Sequence, residues 1–185
     1  MRRCFWVNLN NPNYVEYHDK EWGVPSYDDT YLFEMLLLES FQAGLSWECV
    51  LNKRRDFEKV FDLYDYHKIS NYDKKKIEEL INNKNIIRNR RKIIAAIENA
   101  KVFLEIQKEY GSFSNYIWSF TKNKIIVHSG KRVYTHNSLS DKISRDLQKR
   151  GMKFVGTTII YSYLQAIGMI DDHDFDCSFK GGCVC

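Results

Sequence analysis

The chain has 185 residues, a net charge of +4, 44% hydrophobic residues and two prolines, Pro12 and Pro25. That size and balance fit one folded domain, or two small subdomains sharing a core, and exclude a disordered or proline-rich chain. No apolar run reaches the roughly 20 residues needed to span a bilayer, so no membrane partner is expected. The stretch Cys4-Phe5-Trp6-Val7 behind Met1-Arg2-Arg3 is too short for a signal peptide. Five cysteines without a secretory signal suit a reduced, cytoplasmic setting better than a disulfide framework. Nothing suggests an obligate dimer, and a monomer is expected.

The apolar pattern is helical almost throughout. Thr30 to Glu39 carries Leu32, Phe33, Leu36 and Leu37 behind the capping-type residues Asp28 and Asp29. Ser46 reads as the N-cap of a helix running to about Phe61, and Asp73 as the cap of a short helix ending near Asn82. Arg88 to Lys108 is long and amphipathic, with Ile93, Ile97, Ala100 and Leu104 at helical spacing. A short helix follows over Ser112 to Thr121. Lys122 to Asn137 is polar and aperiodic, a loop with a strand fragment at Ile125-Ile126-Val127. Ser140 to Arg150 is a helix stopped by Gly151. Thr157 to Ile167 is an apolar helix ended by Gly168 and central to the core. The expected fold class is all-α. The chain is expected to form a single unit over 1–185, in which a central part, about 30–120, is distinguishable from the terminal segments.

Two groups of residues carry chemistry. Cys4 with His18, and His173 with Cys177, are two Cys/His pairs at opposite ends of the chain. Neither closes a metal site alone. Either one zinc ion draws all four into a tetrahedral set, or the pairs are unrelated and buried separately. Cys183 and Cys185 are rival thiolates in a Gly-rich tail. The second group runs from Tyr17-His18-Asp19 through Trp22-Gly23 and Glu39 to Gln42-Ala43-Gly44-Leu45-Ser46-Trp47. Glu39 ends an apolar helix just before a glycine-containing turn, where a carboxylate is either buried for a task or simply exposed. Trp and Tyr side chains around it suit a flat aromatic ligand. Basic clusters at Lys53-Arg54-Arg55, Lys74-Lys75-Lys76, Arg88 to Lys92 and Lys149 to Lys153 suit either a phosphate backbone or solvated helix faces.

Five segments share one pattern: Arg3-Cys4-x-Trp6; Tyr17-His18-Asp19-x-x-Trp22-Gly23-x-Pro25; Leu38-Glu39-x-x-Gln42-Ala43-Gly44-Leu45-Ser46-Trp47; Ile87-Arg88-x-Arg90; and Lys149-Arg150-Gly151-x-Lys153-Phe154-Val155-Gly156-Thr157-Thr158. With them the chain resembles the DNA-3-methyladenine glycosylase I family from Arg3 to about Cys177. That family is a zinc-containing branch of the helix-hairpin-helix glycosylases. The resemblance implies a structural zinc on Cys4, His18, His173 and Cys177. It implies monofunctional hydrolysis of the N-glycosidic bond of 3-methyladenine in alkylated double-stranded DNA. Glu39 would meet the amino edge of the flipped, cationic base. Tyr17 would add a hydroxyl contact, and Trp47, with Trp6, Tyr14 and Trp22, would stack on the base or wall the pocket. Gln42 or Leu45 would fill the vacated duplex as plug and wedge.

Two features depart from the wider superfamily. The candidate hairpin, Asn82-Asn83-Lys84-Asn85-Ile86-Ile87, has no glycine, and Arg88, Arg90 and Arg91 follow it as candidate phosphate contacts. The aspartate that many superfamily members use is also missing. Asp141 and Asp146 lie near the relevant region, and neither is given a catalytic role. The competing readings are a metalloenzyme with an open zinc site and a DNA-binding module without activity.

Overall fold

The computed structural model describes residues 1–130 and 134–182. Cys183 and Cys185 lie outside the described residues. Ten α-helices and one short two-stranded sheet make up the described chain.

The central element is α2 (Asp29–Gln42). Asp28 caps it, accepting from the Tyr31 N–H at 2.8 Å. Nine of the ten residues from Leu32 to Phe41 are buried, Glu39 included, and only Glu34, paired with Arg54, is partly exposed. A helix that is apolar all round can only be stable inside the protein. Burial of one such large side chain contributes about 1.5–3 kcal/mol, so the segment is held at the core despite the buried carboxyl of Glu39. Asp29, expected as a cap of this helix, instead accepts from the Phe113 and Ser114 N–H groups at the start of α8 (Phe113–Ser119).

Around α2 pack α7 (Arg90–Tyr110), capped by Asn89, and α10 (Thr157–Ala166), which runs beside α9 (Ser138–Lys149). Asn137 and Ser140 form a reciprocal capping box at the start of α9. The core is one continuous cluster from Cys4 to Cys177.

One local expectation needs correction, and two helices were not expected. The helix expected from Ser46 to about Phe61 is two, α3 (Trp47–Leu51) and α4 (Arg54–Val60), separated at Asn52 and Lys53. Ser46 does cap the first, accepting from Cys49 N–H at 3.2 Å. The two unexpected helices are α1 (Pro12–Lys20) and the single turn α5 (Tyr66–Ile69). For α1 the signal was present: Asn11 caps the helix, and Pro12 sits where its missing N–H costs nothing. The remaining helix, α6 (Lys74–Asn82), begins at its expected cap Asp73.

The expected strand fragment is β1 (Ile126–Val127). It pairs in parallel with β2 (Ile170–Asp171), with Val127 opposite Asp171. No helix of the described residues is long and apolar enough to cross a membrane.

Candidate functional site

Cys4, His18, His173 and Cys177 come together from four separate places. Their donor atoms all lie within 4.8 Å of one another, and all four residues are buried. Cys4 comes shortly after Arg2, whose carbonyl accepts from Ser178 N–H at 2.9 Å, and His18 comes from the last turn of α1. His173 follows β2, and Cys177 ends a tight turn whose N–H donates to the Asp174 carbonyl at 3.0 Å.

Both imidazoles are oriented by carboxylates. His18 Nδ1 is 2.8 Å from Asp19, which a bidentate Arg3 holds in turn. His173 Nδ1 is 2.7 Å from Asp171, whose other oxygen accepts from Gly181 N–H at 2.7 Å. That leaves Nε2 of each ring facing the cluster, and His173 Nε2 is buried without a hydrogen-bond partner. Carboxylate-oriented imidazoles facing two thiols are a donor set that could hold one metal ion. Burial raises the Cys4 thiol pKa and lowers that of His18. The Cys4 thiolate is therefore costly without a cation beside it, while neutral His18 is ready to ligate.

Gly23 explains the Trp22-Gly23 pair. Its φ is +77°, and a Cβ there would stand 2.8 Å from His173 Cε1. The His173 ring lies against this bare backbone, so the second ligand pair depends on a glycine next to the first.

The second site is a cavity of about 270 Å³. Trp6, Tyr14, Tyr17, Trp22, Glu39, Gln42 and Trp47 all line it, so every base-contact candidate named from the sequence meets in one place. Trp6 packs on Trp22 at 4.8 Å between ring centroids, and Trp22 packs on His173 at 4.6 Å. The Cys/His cluster and the cavity therefore share a wall. Tyr17 and Trp47 face each other at 5.2 Å. Trp47 is set from α3, whose Glu48 accepts from the Asn8 and Asn11 side chains at 2.8 and 2.7 Å.

Glu39 is 3% exposed, and its Oε2 has no hydrogen-bond partner. Burial holds its pKa well above the usual carboxylate range. Burial also raises Tyr17 far above the usual phenol value, with the Glu39 charge adding to it, and pushes Tyr14 up to about 12. Gln42 Oε1 and Trp47 Nε1 are likewise buried and unpartnered. The cavity thus offers two acceptors and one donor between aromatic faces, a site for a planar heterocycle with polar edges.

The DNA-facing candidates separate. Gln42 belongs to the cavity wall. Leu45 is 42% exposed on the turn between α2 and α3, beside Gly44 at φ +79°. Arg88, Arg90 and Arg91 are all exposed, but Arg90 is paired with Glu78 at 2.7 Å. Asn82–Ile87 leads from α6 into the cap of α7. A second hairpin, Arg150 to Gly156, joins α9 to α10 and does contain glycine. Gly156 is the N-cap of α10, makes no side-chain cap bond, and has open space where its Cβ would be. Arg91, Lys153 and Phe154 line a groove beside this hairpin. Asp141 accepts from Thr157, and Asp146 from Tyr116 and Arg150, so both are structurally engaged.

The sequence reading missed Gln165, Ser162, Asp172, Tyr134, Phe5 and Asp174 in the cavity lining. No local pattern marks them. Gly151 and Gly156 between two apolar-patterned helices were the available signal for the second hairpin.

Residues 6–180 match the model of the methyladenine glycosylase family. This chain belongs to that family. It is 43% identical over 180 residues to DNA-3-methyladenine glycosylase 1 of Escherichia coli (strain K12), covering 96% of each chain. It is 41% identical to DNA-3-methyladenine glycosylase of Haemophilus influenzae, covering 96% of this chain and 97% of the relative. Among solved structures, a crystal structure of 3-methyladenine DNA glycosylase I superposes with a TM-score of 0.91 at 42% identity, over 95% of this chain and 98% of the other. A variant of such an enzyme solved in complex with 3-methyladenine also gives 0.91, at 35% identity over 97% and 98%.

Proposed function

We propose that this protein hydrolyses the N-glycosidic bond of 3-methyladenine in alkylated duplex DNA, leaving the free base and an abasic site. The observation that carries the reading is Glu39, an unpartnered carboxyl buried in an aromatic cavity. Methylation at N3 makes the nucleotide's adenine ring cationic. An ionised Glu39 accepts hydrogen bonds from the amino edge of that ring and balances its charge, while neutral adenine gives it much less. Tyr17 and Trp47 enclose the ring, and an indole face attracts a cation. The bond that breaks returns its electrons to the ring, so the base leaves neutral, and water supplies the hydroxyl at C1′. The lesion's own charge makes it a good leaving group, and the residues on the page account for selection more than for acceleration. No lysine lines the cavity among the described residues, which supports simple hydrolysis over a Schiff-base route.

Cys4, His18, His173 and Cys177 would hold one zinc ion, which supplies a cross-link between the two ends of the chain. Four protein donors leave no position for a catalytic water, which argues against the open-site metalloenzyme. The two ends and the central helices then form one folding unit. In this reading Leu45 enters the duplex from its turn. The phosphate grip falls to the α9–α10 hairpin, where the free N–H groups at the start of α10 and Lys153 meet the backbone. The protein would act as a cytoplasmic monomer.

Tryptophan fluorescence titrated with free 3-methyladenine and with adenine tests the pocket. Saturable quenching by 3-methyladenine in its protonated, cationic form, and at least about tenfold weaker binding of neutral adenine, is expected from one lost charge-assisted contact. Equal affinity for the two bases would contradict the role of Glu39.

A further inference from the structure

Lys92 is the one buried lysine among the described residues, 6% exposed, and the proposed reaction does not use it. It stands in the first turn of α7, where its backbone N–H donates to the Asn89 cap at 3.2 Å. Its ammonium has no carboxylate partner. It donates instead to the Phe41 carbonyl at 2.7 Å and the Ala43 carbonyl at 2.6 Å. These are among the last carbonyls of α2, which lack helical partners and carry the negative end of the helix dipole. Ala43 itself has left the helix, at φ −46° and ψ 113°, and opens the turn that carries Gly44 and Leu45. On its other side, Lys92 Nζ lies 5.9 Å from the ring centre of Phe154 in the α9–α10 hairpin.

One buried cation therefore touches the end of the helix that carries Glu39, the base of the Leu45 turn, and the hairpin with the open N-cap. Capping carbonyls is a task that a glycine or a water performs at most helix ends. Placing a charged side chain there, with burial lowering its pKa, is costly. The return is a fixed spacing between two surfaces that both meet DNA.

We propose that Lys92 is a positioning residue for base eversion, setting the Leu45 turn against the Arg150–Gly156 hairpin so that wedge and phosphate grip engage the duplex in register. The inference rests on the function proposed above. It separates what Lys92 does from what the pocket does: the pocket recognises a base already out of the helix, whereas Lys92 matters only while a duplex must be opened.

Lys92→Met removes the ammonium with little change of shape. Three measurements are compared with the unsubstituted protein: fluorescence titration with free 3-methyladenine, single-turnover release from a methylated duplex, and single-turnover release from the same strand alone. Affinity for the free base and the single-strand rate should stay close to the unsubstituted values. The duplex rate should fall about ten- to hundredfold, the range that a misplacement of order 1 Å costs. Should Lys92→Met fail to fold, Lys92→Gln, which keeps one donor for the carbonyls, is carried through the same comparison. An unchanged duplex rate, or an equal loss in all three measurements, overturns the inference. If the unsubstituted protein releases no base from either substrate, the proposed function fails and takes this role with it. If it is active and Lys92 is indifferent, only the positioning role fails.

Discussion

Replacing Glu39 by glutamine separates what the buried carboxyl costs from what it is for. In the protein without ligand, burial raises the Glu39 pKa well above the ordinary value of 4.5. Below pH 4.5 both the folded and unfolded chains hold the proton, and the group contributes nothing to stability. Above it the unfolded chain releases the proton while the folded chain keeps it, so stability falls with rising pH until the folded pKa is reached. The slope is about 1.4 kcal/mol per pH unit. For a chain of this size about 1 kcal/mol moves Tm by roughly 2–4 °C. Glu39→Gln keeps the shape and removes the titration. Its Tm should match the parent near pH 4 and pull ahead by about 3–6 °C for each further pH unit over which Glu39 stays protonated. Function should move the other way, because a charge-assisted hydrogen bond of about 1.5–3 kcal/mol is lost. Affinity for 3-methyladenine in its protonated, cationic form, read by tryptophan fluorescence, should drop roughly ten- to 150-fold by the same figure. Melting curves that stay parallel between pH 4 and 8, with unchanged base affinity, would refute the picture of an uncompensated carboxyl held for a cationic ligand.

Other outcomes follow from the geometry. Gly23→Ala places a Cβ 2.8 Å from the His173 ring at a left-handed φ. It should lower bound metal, measured by elemental analysis, and cost about 1–3 kcal/mol in thermal stability; full metal content would count against the packing argument. The purified protein should carry one zinc per chain. Chelation, or Cys177→Ser, should lower Tm by more than about 10 °C, since structural zinc contributes on the order of 10 kcal/mol in small domains, and should weaken base binding through the Trp22 wall. A chelated protein with unaltered melting would remove the structural role. Leu45→Ala, at an exposed position, should leave Tm within about 2 °C while slowing release from duplex DNA about tenfold or more; equal rates would show that Leu45 does not enter the stack.

The site was more legible than the fold that builds it. Cys4, His18, His173 and Cys177 could be named because ligand chemistry restricts the residue types, and the resemblance resolved the choice that spacing left open. Glu39 could be flagged because a carboxylate stands out in an apolar helix. Its burial follows from apolar residues on all sides of α2, a property of the whole element that overrides the cost of one charge. The candidate hairpin Asn82–Ile87 has no glycine, and of the arginines that follow it Arg90 pairs with Glu78. The glycine-bearing turn lies at Arg150–Gly156, where Gly151 was read only as a helix stop. Lys92 reads as one more basic residue in Arg88 to Lys92, and only the end of α2, 50 residues away in sequence, distinguishes it. Asp172 and Gln165 reach the cavity by tertiary packing alone.

Base release from methylated duplex DNA by the metal-loaded protein, with the products resolved by chromatography, tests the central claim most directly. Release of 3-methyladenine with 7-methylguanine left in place is the expected result. A folded, zinc-loaded protein that binds lesion DNA and releases no base would contradict the account and make the Glu39 cavity a binding site without a reaction.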